Sequence, residues 1–260
     1  MSEWKSSGTL NPYGNMSDLQ KIKVQVKTVI DTRFVFKKVS HVPRLGEPHL
    51  TFANKGLKFS ATVLFIDLRG STQLLESNRR TTLAKVHTAY YHAITTVAKL
   101  DGGEIRSFNG DSLLVFYSGT GKRAISQAVS SAMRMKYVLT HEKGIFGKVA
   151  KYTELNFGIG LDHGEILATK VGARGRPETQ DIFWVGSAVN RSTRLGDKVK
   201  LPSAIAVSAA VYRNLVGSLR QTDDDYFGFT IKKDVWQRRS LQYCNRYEDF
   251  YTTDQSLIVE

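Results

Sequence analysis

The sequence predicts an α/β fold in which helices flank a central sheet that contains antiparallel strands. Residues 60–68 are rich in Thr, Val, Leu, Phe and Ile, which is typical of a buried strand. The dipeptide Asn109–Gly110 separates two short segments with strand patterns, which indicates a tight hairpin. Helical patterns lie on either side of this hairpin. The order strand, helix, hairpin, helix, strand therefore predicts an α/β sandwich with its helices on one face.

The first half of this core can be assigned from local signals. After the strand at residues 60–68, Ser71 and Thr72 offer N-caps to a helical region that extends to about residue 100, with a break near residues 77–78. The hairpin strands are expected at residues 104–108 and 112–117, followed by a helix at residues 120–141.

The second half begins with residues 155–161, where apolar and polar residues alternate as in a half-buried strand. Residues 165–171 are predicted to form its partner strand, with a turn at His163–Gly164. A helix at residues 187–198 and a strand–helix pair at residues 204–215 follow. One or two strands are expected after Gln221.

Residues 1–57 differ from the rest and are predicted to form a partly flexible N-terminal extension to a catalytic domain at residues 58–260. Residues 8–15 have the composition of a loop, and residues 42–56 that of a linker. The basic segment at residues 21–39 fits either a strand or a short helix, and the pattern does not decide between them.

The bulk composition limits the protein class. The chain has 260 residues and 41% hydrophobic content, enough for a folded core, and its longest apolar run is strand-sized. The N-terminus lacks the apolar stretch of a signal peptide, and the single cysteine, Cys244, permits no internal disulfide, so a cytoplasmic location is expected. The net charge of +13 fits a nucleic acid, a nucleotide or merely a solvated basic surface. The basic residues are spread along the chain and favour none of the three.

Two carboxylates stand at the ends of predicted strands. Asp67 ends the first buried strand and Asp111 follows Asn109–Gly110 in the hairpin. Carboxylates on adjacent strands can share Mg²⁺ or Mn²⁺, hard cations that take oxygen ligands and bridge to phosphates. The ordinary alternative, an N-cap and a turn residue, explains each aspartate singly. Their combination favours a metal pair.

Two further segments fit a phosphorylated ligand. The backbone N–H groups after Asp67, from Leu68 to Thr72, lead from a strand into a helix and could hold a polyphosphate. Asn190 and Arg194 are four residues apart, so they project from one face of the predicted helix. An amide beside a guanidinium suits a sugar and a phosphate that gains negative charge, although a surface pair on an amphipathic helix is equally ordinary.

In this order, FIDLRGST, the NGD hairpin, GIGLDHGEILATKVG and VGSAVNRSTRL resemble the class III adenylate and guanylate cyclase catalytic domain over residues 58–216. The resemblance implies a ferredoxin-like βαββαβ core. Polymerase palm and diguanylate cyclase domains share that core but lack the VNxxxR helix.

The resemblance also implies a reaction and roles for named residues. Asp67 and Asp111 would hold two ions, Mn²⁺ or Mg²⁺, and the backbone carbonyl of Leu68 would join one of them. Asn190 would orient the ribose, and Arg194 would stabilise charge on the phosphoryl group. A nucleoside triphosphate would then close to its 3′,5′-cyclic monophosphate.

In this family one chain supplies the metal pair and another supplies the Asn–Arg pair, so the resemblance implies a homodimer with shared sites. Arg174 and Arg176 are candidates for contacts to the triphosphate, and so are Lys232 and Lys233. No nucleic-acid or membrane partner is expected, because nucleic-acid-binding motifs are missing from the pattern.

The positions that select the base depart from the purine cyclases. Ser107 stands where adenylate cyclases commonly carry Lys and guanylate cyclases Glu, and Phe183 stands where Asp, Thr, Ser or Cys is usual. An aromatic side chain there cannot read a purine edge by hydrogen bonds and would narrow the pocket. The chain therefore resembles the pyrimidine cyclases of the bacterial Pycsar anti-phage defence system, with UTP favoured over CTP. The alternatives are a purine cyclase with unusual selectors and an inactive cyclase-like nucleotide-binding domain.

Overall fold

The computed structural model describes residues 16–52, 54–70, 76, 79–142, 144–149, 156–173, 175–226, 229–243 and 245–259. Its helices are α1 (Asp18–Asp31), α2 (Arg80–Leu100), α3 (Lys122–Thr140), α4 (Ile145–Val149), α5 (Ser187–Asp197), α6 (Ala209–Arg213) and α7 (Gly217–Arg220). Its strands are β1 (Val35–Lys38), β2 (Lys55–Arg69), β3 (Glu104–Asn109), β4 (Ser112–Ser118), β5 (Asn156–Val171), β6 (Asp181–Val185), β7 (Ile205–Ser208), β8 (Gln221–Tyr226), β9 (Phe229–Asp234), β10 (Gln237–Tyr243) and β11 (Arg246–Thr253).

Among the described residues, nine strands form one sheet in the order β10-β11-β7-β5-β2-β4-β3, with β1 added to β2 and β6 added to β5. The β1–β2 and β5–β7 pairs are parallel, and the other pairs in this sheet are antiparallel. Strands β8 and β9 form a separate two-stranded sheet. The predicted α/β fold with a central, mostly antiparallel sheet is confirmed.

Both faces of the sheet are covered, because apolar side chains alternate to both sides of β2. Leu64 and Ile66 join a core with α2 and α3, whereas Ala61 and Val63 join a second core that contains Ala188 of α5. The prediction that the helices lie on one face was therefore wrong for α5. A strand with apolar residues at successive positions has to be buried on both sides.

The hairpin is formed as the Asn109–Gly110 signal predicts. Strands β3 and β4 pair from Glu104 to Asn109, and Gly110 has φ +62°, a left-handed conformation that glycine adopts without strain. A β-bulge lies between Ile105 and Ser107. The turn places Asp111 directly before β4.

The expected turn at His163–Gly164 was wrong, because β5 is one continuous strand. His163 pairs with Thr62 and Gly164 with Ala61, both on β2. The long β2 supplies ladder partners along this whole stretch, so a His–Gly signal typical of a turn is overridden by tertiary pairing.

The ends of the chain contain more regular structure than predicted. Within the segment at residues 21–39, both alternatives occur, since α1 is followed by β1. Four strands, β8 to β11, follow Gln221 instead of one or two. Helix α3 begins at Lys122 with Gly121 as its N-cap, rather than at Thr120. Within the described ranges, no helix combines the length and apolar character needed to cross a bilayer.

Candidate active site

Asp67 lies near the end of β2, beside the hairpin. It is opposite Ser112 of β4 and Gly158 of β5, and its side chain is 18% exposed. The Arg69 guanidinium donates to its Oδ2 at 3.0 Å. Asp67 is thus a partly buried carboxylate that one cation on its own strand contacts.

The Asp111 side chain meets Asp67, as the sequence predicts for carboxylates on adjacent strands. Burial, repulsion by Asp111 and a hydrogen bond with Asp111 together raise the pKa of Asp67 to about 6. Asp197, at the end of α5, raises that pKa further, and Arg69 lowers it. The negative charge gathered here is therefore incompletely balanced by the protein itself.

This arrangement fits divalent cations. Carboxylate oxygens are the ligands that Mg²⁺ and Mn²⁺ prefer, and a raised carboxylate pKa indicates a deficit of nearby positive charge. No group of three or more His, Cys, Asp or Glu side chains converges among the described residues. A cation held by Asp67 and Asp111 would therefore need backbone or substrate oxygens to complete its ligands.

Leu68 has the position expected for such a backbone ligand. Strand β2 loses its β4 partner after the pair Asp67–Ser112, and Leu68 pairs only with Phe157 of β5. Its side chain is buried in the core. The next predicted residues, Ser71 and Thr72, lie outside the described part of the chain, so the proposed phosphate loop stays a prediction.

The turn that carries Asp111 is held by Tyr91 of α2, a residue that the sequence analysis missed. The Tyr91 hydroxyl donates to the carbonyl oxygens of Gly110 at 2.7 Å and Ser112 at 3.2 Å. Its ring packs against Phe108 with 5.2 Å between ring centroids. One sequence signal was available, the adjacent aromatic residues at positions 90 and 91. Neighbouring residues point to different sides of a helix, so only one of these two rings can face the protein core.

Arg69 was also missed, although it stands in the FIDLRGST segment. Its guanidinium contacts Asp67, donates to the Gly196 carbonyl oxygen at 2.6 Å and lies 3.4 Å from Asp197 Oδ1. This side chain joins the end of β2 to the end of α5. The Asp67 carboxylate is consequently fixed relative to the helix that carries Asn190 and Arg194.

Asn190 and Arg194 both lie on the exposed side of α5. The opposite side of α5 is buried through Ala188, Ser192, Leu195 and Gly196. In the described part of the chain, no contact joins Asn190 or Arg194 to Asp67 or Asp111. The carboxylate pair and the Asn–Arg pair of one chain are therefore two groups of side chains without a direct contact between them.

Glycines allow α5 to approach the sheet closely. A Cβ atom on Gly160 of β5 would lie 2.0 Å from the Ser192 carbonyl oxygen, and one on Gly196 would lie 2.8 Å from Phe65 Cδ1. Any larger residue would push the helix away from β2 and β5. The glycines therefore determine the distance between the sheet and α5, the helix that carries Asn190 and Arg194.

The predicted base selectors lie on different strands. Ser107 of β3 is half-buried and is opposite Leu114, which in turn is opposite Phe65 of β2. Phe183 of β6 is 57% exposed and is opposite Thr169, a residue of β5. Within the described residues no contact joins Ser107 to Phe183.

The basic residues proposed for the triphosphate are scattered. Arg176 is exposed and precedes a single turn of 3₁₀ helix, Pro177–Thr179, while Arg174 lies outside the described residues. Lys232 and Lys233 belong to the separate β8–β9 sheet, where Lys233 Nζ lies 3.6 Å from Asp224 Oδ2. These side chains make no described contact with Asp67 or Asp111.

Comparison with known proteins identifies a family, relatives in sequence and a solved structure of similar fold. The sequence profile of the adenylate and guanylate cyclase catalytic domain matches residues 56–235. A uridylate cyclase of Xanthomonas perforans is 26% identical over 197 residues, covering 74% of this chain and 78% of that protein. A uridylate cyclase of Burkholderia cepacia is 25% identical over 166 residues, or 64% and 70% of the two chains. The crystal structure of the guanylyl cyclase Cya2 is 21% identical, with a TM-score of 0.62 over 77% of this chain and 94% of that one, and it shares the fold.

Proposed function

Because the chain belongs to the family of adenylate and guanylate cyclase catalytic domains, and is thus a nucleotidyl cyclase, we propose that its substrate is a pyrimidine nucleoside triphosphate, with UTP ahead of CTP. The products are the 3′,5′-cyclic monophosphate and pyrophosphate. The observation that carries the proposed chemistry is the meeting of Asp67 and Asp111 in a site where burial and the neighbouring carboxylate raise the pKa of Asp67 to about 6.

Asp67 and Asp111 would hold two ions, Mn²⁺ or Mg²⁺, with the Leu68 carbonyl as a further ligand. When bound, the cations offset the negative charge of the phosphates and lower the pKa of the ribose 3′-hydroxyl. The two carboxylates would hold these ions in place and so determine where the phosphates bind. Tyr91 and Arg69 keep these carboxylates in place through the contacts described above.

The reaction forms one P–O bond and breaks another. The 3′-hydroxyl loses its proton to water, its oxygen bonds to the α-phosphorus in line, and the bond from that phosphorus to pyrophosphate breaks, so that pyrophosphate leaves with the bonding electron pair. The Asn190 amide orients the ribose through hydrogen bonds. The Arg194 guanidinium stabilises the negative charge that grows on the phosphoryl oxygens.

The preference for a pyrimidine is supported by two residues and by the relatives. Phe183 presents an exposed ring without a hydrogen-bonding group, and Ser107 carries no charge for a purine edge. The relatives from Xanthomonas perforans and Burkholderia cepacia are both named uridylate cyclase. A purine in such a site would leave polar edges unpaired, which disfavours it on the order of ten- to hundred-fold.

The deciding experiment incubates the purified chain with Mn²⁺ and each of the four ribonucleoside triphosphates, and identifies products by mass spectrometry. We expect cyclic UMP to form fastest and cyclic CMP next. Faster turnover of ATP or GTP than of both pyrimidines would assign the chain to the purine cyclases. Phe183→Asp is compared with the parent chain in the same assay, because it places at position 183 a carboxylate of the kind that purine cyclases carry there.

We also propose that the chain acts as a homodimer in which each site takes Asp67 and Asp111 from one protomer and Asn190 and Arg194 from its partner. The exposure of both α5 side chains in one protomer supports this arrangement. Inactive Asp67→Ala and Arg194→Ala chains should regain partial activity when mixed, since one site per heterodimer is then complete. Heterodimers without activity would show that both residues act within one chain.

The proposal extends to the cell. We place the enzyme in the cytoplasm, where nucleoside triphosphates are made, and assign its product a second-messenger role in antiviral defence, on the strength of the resemblance to the Pycsar cyclases. Cyclic UMP measured before and after phage infection tests this role. A level that does not rise on infection would contradict it.

A further inference from the structure

A network of four side chains reaches Arg194 through one of its members, and the proposed reaction does not use it. It comprises Asp162 of β5, Arg191 of α5, and Tyr243 and Glu248 of the β10–β11 hairpin. Only 1% of the Asp162 side chain is exposed. The residue lies on a strand that a helix covers, where apolar side chains are usual. A charge this deeply buried requires a specific partner.

Arg191 is that partner and also reaches the hairpin. One guanidinium nitrogen lies 3.1 Å from Asp162 Oδ2, and the other lies 2.9 Å from Glu248 Oε2. The side chain is 24% exposed, which limits its freedom further. Arg191 thereby ties α5 to the centre of the sheet and to the edge hairpin at the same time.

Tyr243 connects this anchor to Arg194. The Arg191 guanidinium carbon lies 4.9 Å from the centroid of the Tyr243 ring, and that of Arg194 lies 5.3 Å from the same centroid. Both distances are within the range of cation–π attraction. This ring is the only hydrogen-bonding, ionic or ring partner of Arg194 among the described residues.

The charges around the ring permit two cations to share it. Asp162 and Glu248 together outweigh the charge of Arg191, so the second guanidinium is not repelled from the ring. Without the ring, a long exposed arginine would sample many rotamers, and ordering it for catalysis would cost side-chain entropy. The ring reduces that cost before substrate arrives.

We propose that Tyr243, fixed by the Asp162–Arg191–Glu248 network, is a positioning residue that pre-orients the Arg194 guanidinium for the phosphoryl group. This inference rests on the proposed role of Arg194 in the cyclase reaction. It predicts that kcat, rather than KM, depends on the Tyr243 ring, because the contribution of Arg194 is realised in the transition state.

The test compares Tyr243→Leu with Tyr243→Phe, which keeps the ring face, and with Tyr247→Leu, a control on the same hairpin at a residue that is 78% exposed. Tyr243→Leu should lower kcat about ten-fold with little change in KM, the size expected for one lost cation–π contact. Tyr243→Phe and Tyr247→Leu should stay close to the parent chain. Thermal unfolding of each variant shows whether the fold is kept.

A double-mutant comparison separates positioning from a general structural effect. In an Arg194→Ala background, whose residual turnover is measured at high enzyme concentration, Tyr243→Leu should have no further effect on kcat, because the group that the ring positions is gone. An equal fold-loss in both backgrounds would overturn the inference while leaving the catalytic role of Arg194 intact.

A readout without activity distinguishes the two proposals. The ¹⁵N-edited NMR resonance of the Arg194 Nε–H group should shift on Tyr243→Leu, through loss of the ring current, and should not shift on Tyr247→Leu. A resonance unmoved by Tyr243→Leu would overturn the inference. If the resonance shifts but Arg194→Ala keeps full activity, the contact is supported and the proposed function of Arg194 fails.

Discussion

Asp67 and Asp162 lie on neighbouring strands and on the same face of the sheet, yet their charges are balanced in opposite ways. Asp162 is opposite Val63, four residues before Asp67 on β2, so both carboxylates point to the side that α5 covers. Burial raises the pKa of each. For Asp162 the Ser208 hydroxyl and the Arg191 guanidinium act against that rise, whereas for Asp67 the Asp111 carboxylate adds to it.

The difference separates a structural carboxylate from one that can take a ligand. Asp162 has its counter-ion within the chain and connects α5 to the sheet. Asp67 has more carboxylates than guanidinium groups around it and retains 18% exposure of its side chain. A carboxylate left in this state is available to an external cation.

The largest expected effect is on catalysis. Asp67→Ala or Asp111→Ala should abolish product formation, a loss of about 1,000-fold or more, because the charge of the phosphates is then no longer offset. Circular dichroism should show that the fold is kept. Substantial turnover by the double variant would refute the assignment of these residues to the metal pair.

The second-largest effect is a loss of stability, which we expect for substitution of Asp162 rather than of Asp67. Asp162→Ala should lower the free energy of unfolding by about 3 kcal/mol, since it leaves the Arg191 guanidinium without its most buried partner. Asp67→Ala should lower it by less than about 1 kcal/mol, because that change also removes repulsion from Asp111. Urea titrations measure both. Equal losses of unfolding free energy in the two variants would show that Asp67 and Asp162 do not differ in their contribution to stability.

The third effect is a pH dependence of metal binding. With the Asp67 pKa at about 6, protons compete with Mn²⁺ below that pH, and the affinity should fall by up to about ten-fold per pH unit. The rise in Tm on adding Mn²⁺, measured from pH 7.5 to 5, reports this competition. A rise in Tm that is constant over this range would contradict it.

The metal-free chain should show the reverse trend in stability. The folded-state pKa of Asp67 is raised from an ordinary value of 3.8 to about 6, so the folded chain binds more protons than the unfolded chain between these values. This group therefore contributes stability at low pH that is lost as the pH rises through about 6. Asp67→Asn should remove that part of the pH dependence.

The smallest effect concerns Arg69, whose guanidinium lowers the pKa of Asp67. Arg69→Gln should raise that pKa further and move the loss of Mn²⁺ binding to higher pH, by about one unit or less. Arg80→Gln, at the exposed start of α2, is the charge-matched control. The same displacement in the control would indicate a change in overall charge rather than the Arg69 contact.

The sequence was sufficient where the signals are local. Asn109–Gly110 specifies its own turn, and the four-residue spacing of Asn190 and Arg194 specifies one face of α5. The continuous β5 could not be predicted, because the partner that straightens His163–Gly164 is β2, about 100 residues earlier. A local pattern contains no information about such a partner.

The supporting residues of the site were missed for the same reason. Arg191 and Tyr243 look like an ordinary surface arginine and an ordinary strand tyrosine until the fold brings them within 5 Å of each other. Tyr91 gains its role only from the carbonyl groups of a hairpin that follows it in the chain. Residues that perform chemistry are recognisable in short motifs, and residues that hold them are recognisable only from three-dimensional contacts.

The close approach of α5 to the sheet has a consequence for how this chain can evolve. Gly160 and Gly196 accept no side chain without moving the helix, so substitutions there should be eliminated by selection. Positions on the outer side of α5 and on β6, such as Phe183, are free of that constraint. Under the proposed roles, mutation of Phe183 can therefore change the base preference while the helix that carries Asn190 and Arg194 stays in register. A change of specificity is then separated from the risk of losing catalysis.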